Sequence, residues 1–184
     1  QRHKIEVLQA TPSRMKAIIN DAYDNTVLAE LKLLLIGGEA FPETLLANLR
    51  KVTAAEIYNM YGPTETTIWS TVKRLTQTDL MTIGKPIANT QIYILDRHGL
   101  PLPIGTTGEI YIAGDGVARG YINKEELTAE RFLPNPFRPG TVMYKTGDLG
   151  QWLPDGEIKY LGRNDNQVKI RGYRIETEEI EKCL

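Results

Sequence analysis

An α/β fold is predicted for this chain, with a parallel sheet covered by helices and then a smaller, mostly antiparallel, barrel-like β lobe. Two observations predict it. In the first 78 residues, short apolar strands alternate with segments whose apolar residues recur at helical spacing, the βαβα rhythm of a parallel sheet. From about Ile83 the pattern changes to short β runs separated by Gly, Pro and Asp turns, which favours antiparallel pairing. The expected division is residues 1–78 for the α/β part, 79–163 for the β-rich part, and 164–184 for a hinge and the start of a further lobe.

The elements follow in order. Ile5 to Leu8 reads as a strand. Thr11-Pro12 then caps a helix with Pro at its first position, carrying Met15, Ile18, Ile19 and Ala22. Leu33 to Ile36 is continuously apolar, as a central parallel strand is. Gly37-Gly38 ends it, and Pro42 opens a helix bearing Leu45, Leu46 and Leu49. Glu56 to Tyr58 is the next strand. Ligands bind at the carboxyl ends of such strands, where Gly37-Gly38-Glu39 and Asn59 to Thr67 are expected to face one crevice. In the β-rich part, Gln91 to Leu95 runs into the turn Asp96-Arg97-His98-Gly99. Glu109 to Ala113 runs into Gly114-Asp115-Gly116. Trp152-Leu153 and Glu157 to Leu161 flank the hairpin signal Pro154-Asp155-Gly156. A short helix is expected at Thr128 to Phe132, and a terminal helix from Thr177.

Composition narrows the function classes. The chain has 184 residues, 41% hydrophobic and 24% charged, with a formal net charge of −1. That is an ordinary globular balance, with no basic field to draw in nucleic acid. The longest apolar run, Leu33 to Ile36, is far short of a membrane span. Cys183 is the only cysteine, so no internal disulfide can form and a reducing cytoplasm fits. His3 and His98 lack the neighbours of a metal site. Ser13 and Ser70 lack the Gly-x-Ser-x-Gly setting of a hydrolase nucleophile. The start at Gln1, without Met, suggests a piece of a longer chain.

The densest chemistry lies in Asn59-Met60-Tyr61-Gly62-Pro63-Thr64-Glu65-Thr66-Thr67. Gly62 permits close backbone approach to a ligand, and Pro63 fixes the turn. Thr64, Thr66 and Thr67 can donate to phosphate oxygens, and Glu65 can hold Mg²⁺ through oxygen. The same residues also read as a plain turn opening a helix, with Thr64 as its cap. Further segments follow in fixed order: Gly108-Glu109-Ile110, Gly116 to Tyr121, Tyr144 to Leu149, Gly162 to Asp165, and Gln167 to Glu176.

Together with Gly37-Gly38-Glu39, these segments resemble the adenylation domains of nonribosomal peptide synthetases, within the adenylate-forming superfamily. The resemblance covers essentially the whole chain. It implies an ATP-dependent ligase that joins an amino-acid carboxylate to the α-phosphate of ATP and then passes the acyl group to a carrier-bound phosphopantetheine thiol. Mg²⁺ is an implied cofactor, and the peptidyl carrier and condensation domains of the parent chain are implied partners. The resemblance places Tyr61 against adenine, with Gly37, Gly38, Glu39, Asn59 and Gly62 lining the nucleotide. It makes Thr64 and Glu65 the catalytic pair, Thr64 at the α-phosphate and Glu65 on the metal. Asp148 is placed on the ribose hydroxyls, Tyr160 beside the nucleoside, and Arg163 on ribose and phosphate. Asp165 is similar to the superfamily's hinge, and Lys169 to Glu176 to the loop that meets the phosphopantetheine arm. Gln9, Leu35, Gly37, Met60, Ile68 and Trp69 fall at or near the acyl-pocket positions, which suggests a small or medium uncharged side chain.

Other readings stand beside these. Tyr61 reads also as core packing, Asp148 as a turn cap, Arg163 as a surface ion pair, and the Lys169 region as a basic edge strand. Thr177-Glu178 departs from the family's usual Leu-Gly. The phosphate loop with its lysine and the amino-binding aspartate are expected upstream, and the catalytic lysine downstream, so the chain alone is expected to be inactive. Two alternatives remain: an acyl- or aryl-CoA ligase of the same superfamily, and a non-enzymatic interaction module.

Overall fold

Continuous apolar strands and amphipathic helices assemble as the sequence pattern dictates. The computed structural model describes residues 4–21, 26–75, 80–165, 167–170 and 173–175. The chain divides into two compact units, Gln1–Met60 with Lys73–Met81 and Asn166–Leu184, and Tyr61–Val72 with Thr82–Asp165. The division is therefore not the sequential one expected, with a boundary at residue 78. Residues past Tyr61 are tied into the β-rich unit by bonds such as Ala118 N–H to Glu65 O at 2.8 Å and Thr67 Oγ1 to Gly116 O at 2.7 Å.

The first unit begins with β1 (Val7–Ala10), α1 (Pro12–Asp21), α2 (Thr26–Ala29), β2 (Leu33–Gly37), α3 (Glu43–Val52) and β3 (Glu56–Tyr61), whose last residue belongs to the second unit. Strands β1, β2 and β3 are parallel with β2 central, in register Val7↔Leu33 and Leu33↔Glu56. The first strand lies two residues later than expected. Helix α1 starts at Pro12, and the Thr11 hydroxyl accepts from Arg14 N–H at 3.3 Å. Helix α3 carries Glu43 in its first turn and Arg50 and Lys51 in its last, which complements its dipole. Met15, Leu34, Ile36, Leu45 and Leu49 form the centre of the core, each nearly inaccessible. Burying one such side chain is worth about 1.5–3 kcal/mol.

The second unit is mostly antiparallel. Its strands are β5 (Lys85–Pro86), β6 (Thr90–Leu95), β7 (Gly108–Gly114), β8 (Phe132–Pro134), β9 (Val142–Trp152) and β10 (Ile158–Arg163), preceded by the start of β4 (Thr71–Leu75). The main sheet has the order β10-β9-β7-β6, with β8 also on β9, while β4 pairs with β5. Ile83 N–H donates to Ile158 O and Ile158 N–H to Gly84 O, which extends the pairing along β10. Ile92, Ile94, Ile110, Ile112 and Ile158 fill its core. The helix expected at Thr128 to Phe132 is α4 (Glu125–Arg131), shifted because Phe132 is recruited into β8. The Gly-Pro-Thr turn opens only a three-residue 3-10 turn, Thr64–Thr66, flanked by Pro63, so Thr64 caps no longer helix.

Beyond Asp165, β11 (Val168–Ile170) and β12 (Tyr173–Ile175) pair as a hairpin, so the region read as a loop or a basic edge strand contains a strand pair. The terminal helix expected from Thr177 lies outside the described residues, as do His3 and Cys183. Among the described residues no helix is long and apolar enough to cross a membrane.

Candidate functional site

A register shift creates the central cluster of the second unit. Strands β9 and β10 pair regularly through Tyr160↔Gly150, then slip by one residue, so that Arg163 comes opposite Asp148. Without that bulge Arg163 would face Gly147. Asp148 is 5% exposed. Its Oδ1 accepts from Arg163 Nη1 at 3.0 Å, and its Oδ2 accepts from the Tyr61 hydroxyl at 2.6 Å. Thr146 supports it from below, taking Asp148 N–H at 2.9 Å while donating to Ile110 O at 2.7 Å.

Arg163 serves two carboxylates. Its Nε and Nη2 bind Asp165 Oδ1 and Oδ2, both at 2.6 Å, the bidentate fork for which guanidinium is suited. Gly147 (φ 75°) makes room for this pair, since a Cβ there would lie 2.8 Å from both Arg163 Nη2 and Asp165 Oδ2. The surface-salt-bridge reading of Arg163 therefore fails: its side chain is 12% exposed and joined to two partners. The Tyr61 ring lies 6.0 Å from Tyr160, tilted by 45°. Burial, with the Asp148 charge and hydrogen bond adding to it, pushes the Tyr61 phenol well above its ordinary range. Burial likewise pushes Tyr160 up to about 12, with Asp148 adding to it. Both rings thus stay neutral donors at ordinary pH.

Glu65 lies in the same unit, 7% exposed on its short turn. Its Oε1 accepts from the Tyr121 hydroxyl at 2.7 Å, and Tyr121 in turn meets the Tyr144 hydroxyl at 3.4 Å. Thr64, beside it, is exposed. Gly62 behaves differently from its expected role. The close approach it permits is made by the chain's own backbone, for a Cβ would meet Ile68 O at 2.6 Å and Ser70 N at 2.7 Å. Ile68 is 55% exposed, while Trp69 is partly buried.

The first unit holds the remaining expected residues. Gly37 ends β2 opposite Met60, and Gln9 and Leu35 are register partners on neighbouring strands. Asn59, at 7% exposure, sits opposite Ile36. Glu39 has a task within the unit: its Oε2 accepts from Ser13 N–H at 3.0 Å and Ser13 Oγ at 2.6 Å, tying the loop after β2 to the start of α1. A carboxylate at a helix N-terminus is favourable there, so the cofactor role expected of Glu39 has a structural competitor.

Sequence reasoning gave no role to Tyr121 or Thr146, although both lie in the quoted segments. No sequence signal placed Tyr121 beside Glu65, 56 positions away. A cleft of about 470 Å³ lies elsewhere in this unit, lined by Gln91, Asp115, Arg119 and Arg138 among others, and includes none of the expected nucleotide residues. Among the described residues no group of three or more His, Cys, Asp or Glu could hold a metal alone.

Comparison with known proteins gives a consistent picture. A family model described as AMP-binding enzyme matches residues 1–122. Tyrocidine synthase 3 of Brevibacillus parabrevis is 54% identical over 88% of this chain, and bacitracin synthase 1 of Bacillus licheniformis is 46% identical over 100% of this chain. The chain spans only 2% and 4% of those two proteins. The solved structure of holo-PA1221, an NRPS protein containing adenylation and PCP domains bound to a vinylsulfonamide inhibitor, superposes with a TM-score of 0.87 at 31% identity. That match covers 97% of this chain and 32% of PA1221.

Proposed function

The chain belongs to the AMP-binding enzyme family, and we propose that it is part of an amino-acid-activating adenylation domain of a nonribosomal peptide synthetase. The observation that carries the reading is the cluster Tyr61–Asp148–Arg163–Asp165. It bonds Tyr61 to Asp148, 87 positions away, in a polar site with two aromatic rings. A merely structural ion pair needs no such rings. The names of the relatives, synthases of tyrocidine and bacitracin, favour this reading over a CoA ligase or an interaction module.

The residues divide the work by their chemistry. A carboxylate accepts several hydrogen bonds at once, which suits Asp148 to hold the hydroxyls of a ribose. Arg163 pairs its charge with both Asp148 and Asp165, which offsets the burial of Asp148. Tyr61 and Tyr160 present apolar faces for a purine, and the exposed Thr64 hydroxyl donates to a phosphate oxygen. Glu65 suits Mg²⁺, which is ordinarily held by one or two carboxylates plus substrate phosphates and waters. When bound, the ion offsets phosphate charge as attack by the amino-acid carboxylate expels pyrophosphate. Catalysis of this kind is positioning plus electrostatic stabilisation.

Leu35, Gly37, Met60, Ile68, Trp69 and Gln9 are assigned to the acyl pocket, for a small or medium uncharged side chain. Asp165 is assigned the hinge, supported by the end of the second compact unit at that residue. A peptidyl carrier domain with its phosphopantetheine thiol is the acceptor, and a condensation domain and a cytoplasmic setting complete the reading. The test is amino-acid-dependent ATP–pyrophosphate exchange by the longer protein that contains this chain. Exchange is expected, and Glu65→Gln should raise its Mg²⁺ requirement severalfold or more. A protein that binds ATP yet exchanges with no amino acid, or that loads free CoA in preference to a carrier thiol, would overturn the reading.

A further inference from the structure

We propose that Tyr121 is the positioning residue for Glu65, holding its carboxylate in the orientation in which it meets the metal–nucleotide complex. The proposal rests on the reading of Glu65 as the Mg²⁺ carboxylate, and adds a second residue to it. The segment Gly116 to Tyr121 otherwise has no task in the proposed reaction.

Glu65 is gripped twice by this one segment. Its carbonyl oxygen accepts from Ala118 N–H at 2.8 Å, and its Oε1 accepts from the Tyr121 hydroxyl at 2.7 Å. A three-residue 3-10 turn is too short to order a long acidic side chain by itself. The ordering must come from outside the turn, and Tyr121 is built to give it. Tyr121 N–H donates to Thr128 Oγ1 at 2.9 Å, which fixes the backbone against α4. The ring stands edge-on to Phe132, with centroids 5.3 Å apart at 76°. Phe132 in turn packs on Tyr144 at 5.1 Å, and the Tyr144 hydroxyl lies 3.4 Å from that of Tyr121. A ring held on its backbone, edge and hydroxyl sides presents its O–H at one place. A short hydrogen bond to an ionised acceptor is among the stronger ones.

The competing account is that Tyr121 merely satisfies a buried acid. The two accounts differ in what a lost hydroxyl does to metal-dependent binding. The experiment measures binding of a non-hydrolysable ATP analogue to the longer protein by calorimetry across a Mg²⁺ series, with thermal unfolding of each variant alongside. Tyr121→Phe is expected to raise the Mg²⁺ concentration for half-maximal nucleotide binding about tenfold, the size of a charge-assisted hydrogen bond. Nucleotide affinity without Mg²⁺ should stay within about twofold of the parent, inside the error of independent sites. In the Glu65→Gln background the same substitution should add no further shift, because both changes act through one group. Tyr144→Phe, which removes the hydroxyl 3.4 Å from that of Tyr121, is the control and should shift the Mg²⁺ response far less.

An unshifted Mg²⁺ response in Tyr121→Phe, while Glu65→Gln does shift it, would overturn the proposal and leave the metal reading intact. Equal shifts from Tyr121→Phe and Tyr144→Phe would reduce Tyr121 to packing. No shift from Glu65→Gln would remove the metal reading of Glu65 and this inference with it.

Discussion

Replacing Asp148 by Asn tests the central cluster with the least disturbance of shape. The substitution keeps one oxygen to accept from the Tyr61 hydroxyl at 2.6 Å, but it removes the negative charge and turns an NH2 toward Arg163 where an oxygen stood 3.0 Å away. Charge-assisted bonds contribute about 1.5–3 kcal/mol against about 0.5–1.5 for neutral ones, so one of them weakened and the other lost cost roughly 2–4 kcal/mol. The loss lies toward the lower end of the roughly 3–5 kcal/mol of a buried pair broken outright, because Arg163 keeps its bidentate grip on Asp165. Asp148→Ala goes further. It strands the Tyr61 hydroxyl, adding about 1–3 kcal/mol, a large share of a domain's ordinary stability of about 5–15 kcal/mol. Urea unfolding of the two variants should therefore give a graded series, parent above Asn above Ala. ATP affinity, measured by calorimetry on the folded Asn variant, should fall about tenfold or more. Asn and parent stabilities within about 0.5 kcal/mol of each other, the scatter of neutral surface changes, would refute the network. Unchanged ATP affinity in the same variant would remove Asp148 from the nucleotide site.

Two further outcomes follow from the geometry. Gly62→Ala forces a methyl to within 2.6 Å of Ile68 O and 2.7 Å of Ser70 N, both backbone atoms; overpacking of that kind costs about 1–3 kcal/mol, and an unchanged Tm would show that the turn closes some other way. Tyr160 and Tyr111, both pushed up to about 12 chiefly by burial, keep their protons in the folded state where the unfolded chain loses them. The stability they contribute is thus whole below pH 10 and lost as pH rises from there through about 12. Alkaline unfolding should soften in Tyr160→Phe, and an identical alkaline limb would count against the buried phenol.

The fold was legible where one residue type dominates a whole segment. Leu33 to Ile36 could hardly be anything but a buried strand, and it is the middle one of the three parallel strands. Tyr61, Asp148 and Arg163 each stood out in the sequence, and the structure joins all three through Asp148. What bonds them was not visible. The meeting of Arg163 and Asp148 depends on a one-residue slip between β9 and β10, and a shift of one residue changes which side chains share a face. Composition carries no trace of such a slip. Gly62 and Glu39 show the same limit. A glycine that admits a ligand and one that admits its own chain look alike in sequence, and the Glu39–Ser13 pair spans 26 positions. Tyr121 lay in a quoted segment, yet only its three-dimensional distance from Glu65 gives it a role.

The backbone after Glu65 explains why the turn takes so unusual a course. Thr67 and Ile68 have φ of 61° and 74°, two successive β-branched residues in the left-handed region. Such conformations cost on the order of 1–3 kcal/mol each and persist only where surroundings fix them. Here the surroundings do. Thr67 Oγ1 donates to Gly116 O at 2.7 Å, Ser70 N–H returns to Tyr61 O at 2.8 Å, and the Thr66 and Ser70 hydroxyls meet at 2.6 Å. The reversal folds residues 61–70 into a closed loop, so that Tyr61, bonded to Asp148, and Glu65, bonded to Tyr121, are held by one rigid piece of chain. Gly or Asn would adopt the same backbone at less cost. The chain instead carries Thr, whose hydroxyl clamps the loop, and Ile, whose side chain is left 55% exposed.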